Sequence, residues 1–530
     1  MSIIIKQLSY FHSNKEVLFQ NINFSLPENQ KAALIGNNGV GKSTLLRIIA
    51  GDLQPSSGEI IYGEKPYFMP QHFGQYNRFS VAQALGIDRK IDALHAILNG
   101  NADEQNFATL NDDWTIEEKT KTAFALWNIS HIELSQTLDT LSGGEKTKVF
   151  LSGIEIYSPT TIVMDEPSNH LDRKSREQLY ELIRNLRASI LVVSHDRTLL
   201  NLLDRVYELE RNEIKSYGGN YEFYKQQKEE QSAARKAELS EKEKALRKAK
   251  KDIRNENEKQ SKRASRGEKH SLKQGVPRIM MKTLKDSAEA SSSKLKQVHE
   301  DKIDTIAAEL KSLRKELPEV KGLKLNIENA NLHKGKILIT AENINFAYNR
   351  HAPLWKEPLS FEIVSGDRIV IGGENGSGKT TLIQLLLGKL APTKGKLIRN
   401  DFDYVYIDQE YSLLENELTL YEQVQKFNER LLEEHELKTL LNRFQFPFDS
   451  WSKKIQMLSG GEKMKLIFCC LMISNNAPDV FILDEPTNNL DIRSLEIVAS
   501  TLKNYEGTIL LISHDQYFID ELGIGNVLMC

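Results

Sequence analysis

Eight residues near the start of the chain decide its fold: Gly36-Asn37-Asn38-Gly39-Val40-Gly41-Lys42-Ser43. An apolar run precedes them and an apolar stretch after Thr44 follows, which predicts a strand, a glycine-rich loop and a helix. Glycines let backbone N–H groups turn inward around a phosphate, and the helix amino terminus adds partial positive charge. The lysine suits the β- and γ-phosphates, and the serine hydroxyl suits Mg²⁺. The stretch therefore predicts a phosphate-binding loop (P-loop).

The same pattern returns 337 positions later, counted from lysine to lysine (379 − 42), as Gly373-Glu374-Asn375-Gly376-Ser377-Gly378-Lys379-Thr380, followed by Thr381. Four further motifs recur in the same order: Gln71 and Gln409, Ser142-Gly143-Gly144 and Ser459-Gly460-Gly461, Asp165-Glu166 and Asp484-Glu485, and His195 and His514. The offset is 338 at the glutamines and 317 at the serines, so the first copy holds about 21 extra residues (338 − 317). A long internal repeat of this kind predicts a duplicated domain. We call residues 1–222 the first repeat and residues 337–530 the second repeat.

The bulk composition excludes several classes of protein. The chain has 530 residues, 40% of them hydrophobic, and a net charge of −3, which is typical of soluble globular proteins with several cores. The longest apolar run, at 466–473, falls far short of the roughly 18 residues that span a bilayer, and the start shows no secretion signal. Three cysteines form neither a disulfide framework nor a zinc spacing. We expect a cytoplasmic location and no direct membrane insertion.

Residues 223–336 belong to neither repeat. Apolar residues at heptad-like spacing near its two ends predict two helices that fold back on each other around a polar tip at about 254–296. From 231 to 285 there are 18 Lys and Arg against 7 Asp and Glu. Such a charge run is either a solvated face or the electrostatic footprint of a phosphate-backbone partner. The candidate RNA contacts are Lys259, Lys262, Arg263, Arg266, Lys269, Lys273, Arg278, Lys282 and Lys285.

Each acidic pair stands where an apolar strand ends. The first carboxylate, Asp165 or Asp484, suits Mg²⁺ coordination beside the P-loop hydroxyl of Ser43 or Thr380. The second, Glu166 or Glu485, suits orienting and deprotonating the attacking water. Phosphoryl transfer needs positioning and charge neutralisation more than covalent chemistry, so these groups and the lysine are a sufficient catalytic set.

The glutamines, histidines and serine turns complete the predicted sites. Gln71 and Gln409 are placed to touch both Mg²⁺ and water. His195 and His514 each lie 29 residues beyond the glutamate (195 − 166 and 514 − 485), and the repetition favours a γ-phosphate sensor over a core histidine. The two serine turns open helices, so they also offer N–H groups to an anion. Each repeat thus has two phosphate-binding helix ends but one P-loop, as a head-to-tail pair with ATP between the repeats requires.

This series of motifs resembles the ABC-F class of ATP-binding cassette ATPases. The stretches Pro167-Ser168-Asn169-His170-Leu171-Asp172 and Pro486-Thr487-Asn488-Asn489-Leu490-Asp491 look like that class's EPTNHLD pattern, with Ser168 and Asn489 as mild departures. The resemblance covers essentially the whole chain. It implies an α/β fold with two P-loop ATP-binding cassette domains joined by an α-helical hairpin linker. The implied division is 1–222, with a helical subdomain and a short arm region at about 72–140, then 223–336, then 337–530.

The resemblance also implies a function. Members of the class are soluble ATPases that use ATP and Mg²⁺, bind the ribosome near the tRNA exit site and act on translation. By position, Tyr10 and Tyr348 are expected to stack on adenine, although strand aromatics also serve as packing. The linker is expected to reach P-site tRNA and rRNA, with the two cassettes pairing inside one monomer. A long linker with a short or absent arm resembles the antibiotic-resistance subgroup more than the housekeeping one. Two alternatives remain open: the ATP-binding subunit of an exporter, and a DNA-associated ATPase.

Overall fold

The computed structural model describes residues 3–12, 17–101, 103–273, 301, 305–311, 332–348, 352–374, 376–444, 446–474, 478–488 and 490–530. The chain divides into two compact units. One consists of Met1–Glu222 together with Gly322–Cys530, and the other is Phe223–Lys321. Both repeats therefore lie in the same unit. Among the described helices, none is long and apolar enough to cross a bilayer.

The first repeat contains two sheets with helices around them. Its strands are β1 (Ile3–Phe11), β2 (Val17–Leu26), β3 (Lys31–Ile35), β4 (Ser57–Tyr62), β5 (Tyr67–Met69), β6 (Thr161–Asp165), β7 (Ser189–Val193), β8 (Arg205–Leu209) and β9 (Ile214–Tyr217). Its helices are α1 (Lys42–Ile49), α2 (Val81–Leu85), α3 (Asp88–Leu98), α4 (Glu104–Leu110), α5 (Ile116–Leu126), α6 (Gly143–Tyr157), α7 (Arg173–Asn185) and α8 (Arg197–Leu200), and α9 (Tyr221–Lys273) leads out of it. β2, β1 and β4 form an antiparallel sheet, and the larger sheet has the order β5-β6-β7-β3-β8-β9.

The second repeat has the same plan. Its strands are β10 (Ile337–Asn345), β11 (Leu359–Val364), β12 (Arg368–Gly372), β13 (Lys394–Arg399), β14 (Tyr404–Ile407), β15 (Val480–Asp484), β16 (Thr508–Ile512) and β17 (Asn526–Met529). Its helices are α10 (Lys379–Leu386), α11 (Leu420–Lys426), α12 (Glu434–Arg443), α13 (Gly460–Ser474), α14 (Ile492–Asn504) and α15 (Gln516–Glu521). The small sheet is β11-β10-β13, and the larger one is β14-β15-β16-β12-β17. The predicted α/β class with two P-loop domains is confirmed.

The larger sheets place the site residues at one edge. β6, β7, β15 and β16 are buried along their whole length, as expected of parallel strands covered on both faces. In the first repeat β3, which precedes the P-loop, pairs in parallel with β7, and β7 pairs in parallel with β6, which ends at the acidic pair. In the second repeat β12, β16 and β15 pair in the same way. The carboxyl ends of these strands therefore meet at one edge, where open α/β sheets bind ligands.

The extra residues of the first repeat form helices. α2 and α11 both begin at a capping box, at Ser80 and Thr419, and both caps bridge to the chain just before the serine turn. Between α2 and α5 the first repeat carries α3 and α4, whereas the second repeat has only a short connection between α11 and α12. The insertion that the offsets predict is thus the helical pair α3–α4.

The linker helix is longer than the sequence suggests. α9 continues to Lys273, some twenty residues beyond the start of the predicted polar tip. Lys, Arg and Glu are good helix formers, so a polar stretch without an apolar seam can still continue a helix. In the same unit, Lys242 Nζ donates to Glu309 Oε2 at 2.9 Å and Leu310 is buried, so residues 305–311 fold back on α9. Four of the apolar residues at heptad-like spacing near the end of the linker lie outside the described residues: Ile303, Leu313, Leu317 and Val320.

Candidate functional site

The two P-loops hold their lysines in the same way. Lys42 Nζ donates to the carbonyls of Gly36 and Asn37 at 2.8 and 3.3 Å, and Lys379 Nζ donates to those of Gly373 and Glu374 at 2.8 and 3.2 Å. Three glycines in each loop have positive φ, namely Gly36, Gly39, Gly41, Gly373, Gly376 and Gly378. Backbone of this kind favours glycine and directs successive N–H groups inward. Asn375 lies outside the described residues.

The acidic pairs end two buried strands in an unusual backbone conformation. Glu166 and Glu485 have φ values of 51° and 50°, in the left-handed region, and each backbone N–H donates to the neighbouring strand at 2.8 Å. Residues held there are strained by about 1–3 kcal/mol and cluster at functional sites. Burial, with the adjacent aspartate second, raises the pKa of Glu166 to about 8. Burial also raises the pKa of Glu485 to about 7.

A hydroxyl and a carboxylate stand together at each proposed Mg²⁺ position. Thr380 Oγ1 donates to Asp484 Oδ2 at 3.4 Å, and a hydrogen bond from Ser43 lowers the pKa of Asp165 against the larger effect of burial, which raises it. Asp165 Oδ1 is buried and, within the described part of the chain, has no hydrogen-bond partner. Carboxylate and hydroxyl oxygens are the ligands that Mg²⁺ accepts. The residues therefore fit a Mg²⁺ ion.

Each histidine lies against its glutamate. The Nε2 atoms of His195 and His514 are 3.4 Å from the Oε1 atoms of Glu166 and Glu485. Burial and then the P-loop lysine lower the pKa of His195 to about 3 and that of His514 to about 4. Both imidazoles are therefore neutral at pH 7 and can offer a hydrogen bond to a phosphate without adding a charge.

Each P-loop faces a cavity that both repeats line. The first cavity, of about 570 Å³, contains the first P-loop together with Ser459 and Gly460 of the second repeat. The second, of about 540 Å³, contains the second P-loop together with Ser142, Gly143 and Gly144 of the first repeat. Ser142 and Ser459 each cap a helix by accepting a backbone N–H three residues on, at 3.3 Å. Gly461 is buried in α13 and is not part of the lining of the first cavity, whereas Gly144 lines the second.

The remaining predicted residues of the P-loops and strand ends also line these cavities. The first has Asn38, Gly39, Gly41, Lys42, Ser43, Thr44, Gln71, Asp165, Glu166 and His195. The second has Gly376, Gly378, Lys379, Thr380, Thr381, Gln409, Asp484, Glu485, His514 and Tyr348. Val40 and Ser377 belong to the loops themselves and pack beside Gly36 and Gly373.

Tyr10 and Tyr348, the two predicted adenine contacts, lie in different surroundings. Tyr10 is half-buried, packs against Phe19 with ring centroids 6.3 Å apart, and does not line the cavity, whereas His12 does. Leu18 and Leu354 occupy equivalent places beside the glycine before the lysine, which gives an offset of 336 (354 − 18) in this part of the chain. With that offset His12, and not Tyr10, corresponds to Tyr348.

Several lining residues were missed by the sequence analysis. They are His12, Leu18, His72, Asn169, His170 and Arg176, together with Leu354 and Asn488. Asn169 and Asn488 follow the acidic pairs at the same distance, so the repeat itself is the signal that could have found them. The repeat gives no such signal for His170 and Arg176, because the equivalent residues of the second repeat are Asn489 and Leu495.

The candidate RNA contacts fall on two parts of the linker. Lys259, Lys262 and Arg266 are exposed on α9, and Arg263, Lys269 and Lys273 lie along the same helix. Arg278, Lys282 and Lys285 lie outside the described residues.

Comparisons with known proteins agree with this architecture. A family model described as "ABC transporter" matches residues 19–169 and 357–488. The ATP-binding protein Uup of Haemophilus influenzae is 30% identical over 98% of this chain and 77% of its own length. ABC transporter F family member 5 of Arabidopsis thaliana is 27% identical over 95% of this chain and 72% of its own length.

Solved structures share the fold of the whole chain. The chain resembles one in the complex of archaeal ribosomal stalk protein aP1 and archaeal ribosome recycling factor aABCE1, with a TM-score of 0.58 at 21% identity, over 99% of this chain and 87% of that one. A structure titled RNase-L Inhibitor gives the same TM-score at 22% identity and the same two coverages. The chain belongs to the ATP-binding cassette family and, within it, to the ABC-F class, with two cassettes in one polypeptide.

Proposed function

We propose that the protein hydrolyses ATP at two sites between its repeats, and that ATP-bound closure holds it on the ribosome until hydrolysis releases it. One observation carries the ATPase part. In each cavity a P-loop lysine, a strand-end glutamate and a histidine from one repeat meet a serine turn from the other. These are the groups that phosphoryl transfer to water requires.

The residues divide the work of hydrolysis. The P-loop N–H groups and lysine hold the β- and γ-phosphates, and the opposite serine turn completes the cradle from the other repeat. Glu166 and Glu485, whose pKa values of about 8 and about 7 lie near neutrality, accept the proton of the attacking water. The neutral histidines hold the γ-phosphate. Ser43, Asp165 and Gln71 would hold Mg²⁺ in the first site, and Thr380, Asp484 and Gln409 would hold it in the second. The bound ion would neutralise charge on the phosphate oxygens.

The ribosome part rests on relatives and on charge. Structures of similar fold include one titled as ribosome-bound archaeal Pelota and ABCE1, and the F-family relative covers 95% of this chain. The segment 231–285 is strongly basic, and contacts to phosphates give sequence-independent affinity for RNA that falls with salt. In this proposal the linker 223–336 meets P-site tRNA and rRNA, and the domains 1–222 and 337–530 pair within one cytoplasmic monomer that regulates translation.

Co-sedimentation with ribosomes in ATP tests the proposal. We expect the Glu166→Gln/Glu485→Gln double variant to be retained on ribosomes and wild type to be released, since loss of the general base slows hydrolysis by roughly 10²-fold or more. Glu155→Gln/Glu506→Gln, which changes two exposed glutamates outside the cavities, is the matched control and should behave as wild type. Normal ATP hydrolysis without ribosome retention of either protein would contradict the ribosome part, and co-purification with a membrane protein would favour an exporter subunit.

Protection of the ribosome from antibiotics is the narrower form of the proposal. It rests on the small size of the α3–α4 insertion in the first repeat. In a translation assay inhibited by a ribosome-directed antibiotic, we expect the wild-type protein to restore synthesis and the Glu166→Gln/Glu485→Gln variant, which stays on the ribosome, to fail to restore it.

A further inference from the structure

The two cavities differ at one position of the helix that follows each acidic pair. α7 and α14 begin alike, because Asp172 accepts the backbone N–H of Ser175 at 2.9 Å and Asp491 accepts that of Ser494 at 2.7 Å. The residue after each serine is Arg176 in α7 and Leu495 in α14. These two residues are 319 positions apart (495 − 176), as are the two aspartates and the two serines. A basic residue in the first repeat is thus replaced by an apolar one in the second.

Arg176 reaches the ATP site of the other repeat. It is 7% exposed, donates from Nε to the carbonyl of Leu171 at 3.1 Å, and lines the second cavity together with Lys379 and Glu485. Leu495 is 1% exposed and packs in the core of the second repeat, and among the described residues it does not line the first cavity. Among the residues that the structure describes, the second cavity therefore has a cation from the opposite repeat and the first does not.

The neighbours of the guanidinium place it at the phosphate end of the cavity. Arg176 shares the lining of the second cavity with Lys379 and His514, the proposed phosphate contacts. Burial, Lys379 and then Arg176 together lower the pKa of His514 to about 4. In the first cavity the charge from the opposite repeat that acts on His195 is the carboxylate of Asp491.

We propose that Arg176 is a catalytic residue of the second ATP site, supplied by the first repeat, and that the two sites consequently hydrolyse ATP at different rates. In the step, the water oxygen bonds to the γ-phosphorus and the bond to the β,γ-bridging oxygen breaks. The electron pair leaves with ADP, and the water proton passes to Glu485. A fixed cation beside the transferred group stabilises the charge on its oxygens more in the transition state than in the ground state. The inference rests on the proposed ATPase function.

The test measures ATP turnover at one site at a time. In a Glu166→Gln background the second site supplies the turnover, and there Arg176→Gln, which keeps a donor for Leu171 but loses the charge, should lower kcat about tenfold or more. KM should change less than about threefold, and Arg176→Lys should retain most of kcat because it keeps the charge. Arg173→Gln, an exposed position of the same helix, is the matched control.

The reverse background shows whether the effect is specific to one site. With Glu485→Gln, where the first site supplies the turnover, Arg176→Gln should lower kcat by less than about twofold. Equal losses in both backgrounds, or equal behaviour of the Gln and Lys variants, would overturn the inference and leave the ATPase function standing. Absence of ATP hydrolysis in the wild-type protein would overturn both. Thermal unfolding of each variant separates a loss of catalysis from a loss of folding.

Discussion

At the scale of single residues, the aromatic ring that lines the cavity differs between the two sites. In the second site Tyr348 is 68% exposed, lines the cavity and shares a hydrogen bond of 2.7 Å with Thr381. In the first site the equivalent place belongs to His12, whose ring lies edge-on to Tyr10 with centroids 5.8 Å apart. We propose that adenine stacks on His12 in the first site and on Tyr348 in the second.

We expect His12→Ala to weaken ATP binding at the first site by about fivefold or more, since stacking on an aromatic ring contributes roughly 1–3 kcal/mol per base. Isothermal titration with a Lys379→Ala variant, whose second P-loop is impaired, measures the affinity of the first site. Tyr10→Leu is the control and should change that affinity less than about twofold while lowering the melting temperature, because Tyr10 packs against Phe19. The opposite pattern would restore Tyr10 as the stacking residue.

The repeat makes most of the predicted site residues recognisable in the sequence, but not His12. Lysine, carboxylate, glutamine and histidine each stand at a fixed distance from a strand end, so the repeat reveals them. His12 lies directly after β1, whose pairing with β2 has several register shifts, and in this part of the chain the offset between the repeats is 336 (at Leu18) instead of the 337 found at the lysines. A change of one or two residues in a β-strand alters which side chain reaches the site.

At the scale of elements, one arginine holds the ends of two helices in the second repeat. Arg368, at the start of β12, donates to the carbonyls of Leu502, Lys503 and Tyr505 at the end of α14 and to that of Leu522 after α15, at 2.7–3.4 Å. In the first repeat the equivalent residue is Lys31, whose Nζ donates to the backbone carbonyl of Arg184 at 2.8 Å. The last carbonyls of a helix have no partner within it, so such a donor stabilises the helix end.

Arg368→Ala should lower the free energy of unfolding by about 2–3 kcal/mol, because it leaves several carbonyls without their charged donor. Lys31→Ala removes one such bond and should lower it by about 1 kcal/mol. Urea denaturation of the two variants compares them directly, and Arg368→Lys should fall between them, since an ammonium cannot reach all four carbonyls. Equal losses for the two alanine variants would show that the fork geometry of Arg368 does not matter.

Elements were predictable where local signals agree. The buried strands β6 and β15 are short apolar runs that end in an aspartate, and α3 and α4 end just before Asn99 and Asn111. The end of α9 was not predictable, because a polar stretch of good helix formers has no apolar seam to mark where it stops. The sequence predicted correctly that Ser142 precedes a helix, because Ser142 and Glu145 form a capping box.

At the scale of the whole molecule, the two repeats of one unit also contact each other away from the cavities. Arg197 of the first repeat, 2% exposed, donates to Glu521 of the second at 2.7 Å and lies 4.8 Å from the ring centre of Tyr517. The position equivalent to Arg197 in the second repeat is Gln516. The pairing of the repeats is therefore not symmetric in its side chains.

The head-to-tail pairing followed from the sequence, but its asymmetry did not. One P-loop and one serine turn in each repeat are enough to predict that each nucleotide needs both repeats. Arg176 and Arg197 act on the opposite repeat, and a single sequence does not indicate which residues of two packed helices face each other. The equivalent residues of the second repeat are Leu495 and Gln516, so the sequence shows that the repeats differ at these two positions. The consequence of the difference can be inferred only once the interface is known.

The central claim is that each nucleotide is held by both repeats, and photolabelling tests it most directly. The Glu166→Gln/Glu485→Gln protein is labelled with azido-ATP, and the labelled peptides of each repeat are quantified. Ser142→Asp keeps a good helix cap but places a negative charge beside the triphosphate of the second P-loop. Ser80→Asp, at another helix cap outside both cavities, is the control. We predict that Ser142→Asp lowers labelling of the second repeat severalfold and leaves the first unchanged, with Ser459→Asp giving the reverse. Loss of labelling in the repeat that carries the substituted serine would contradict the account.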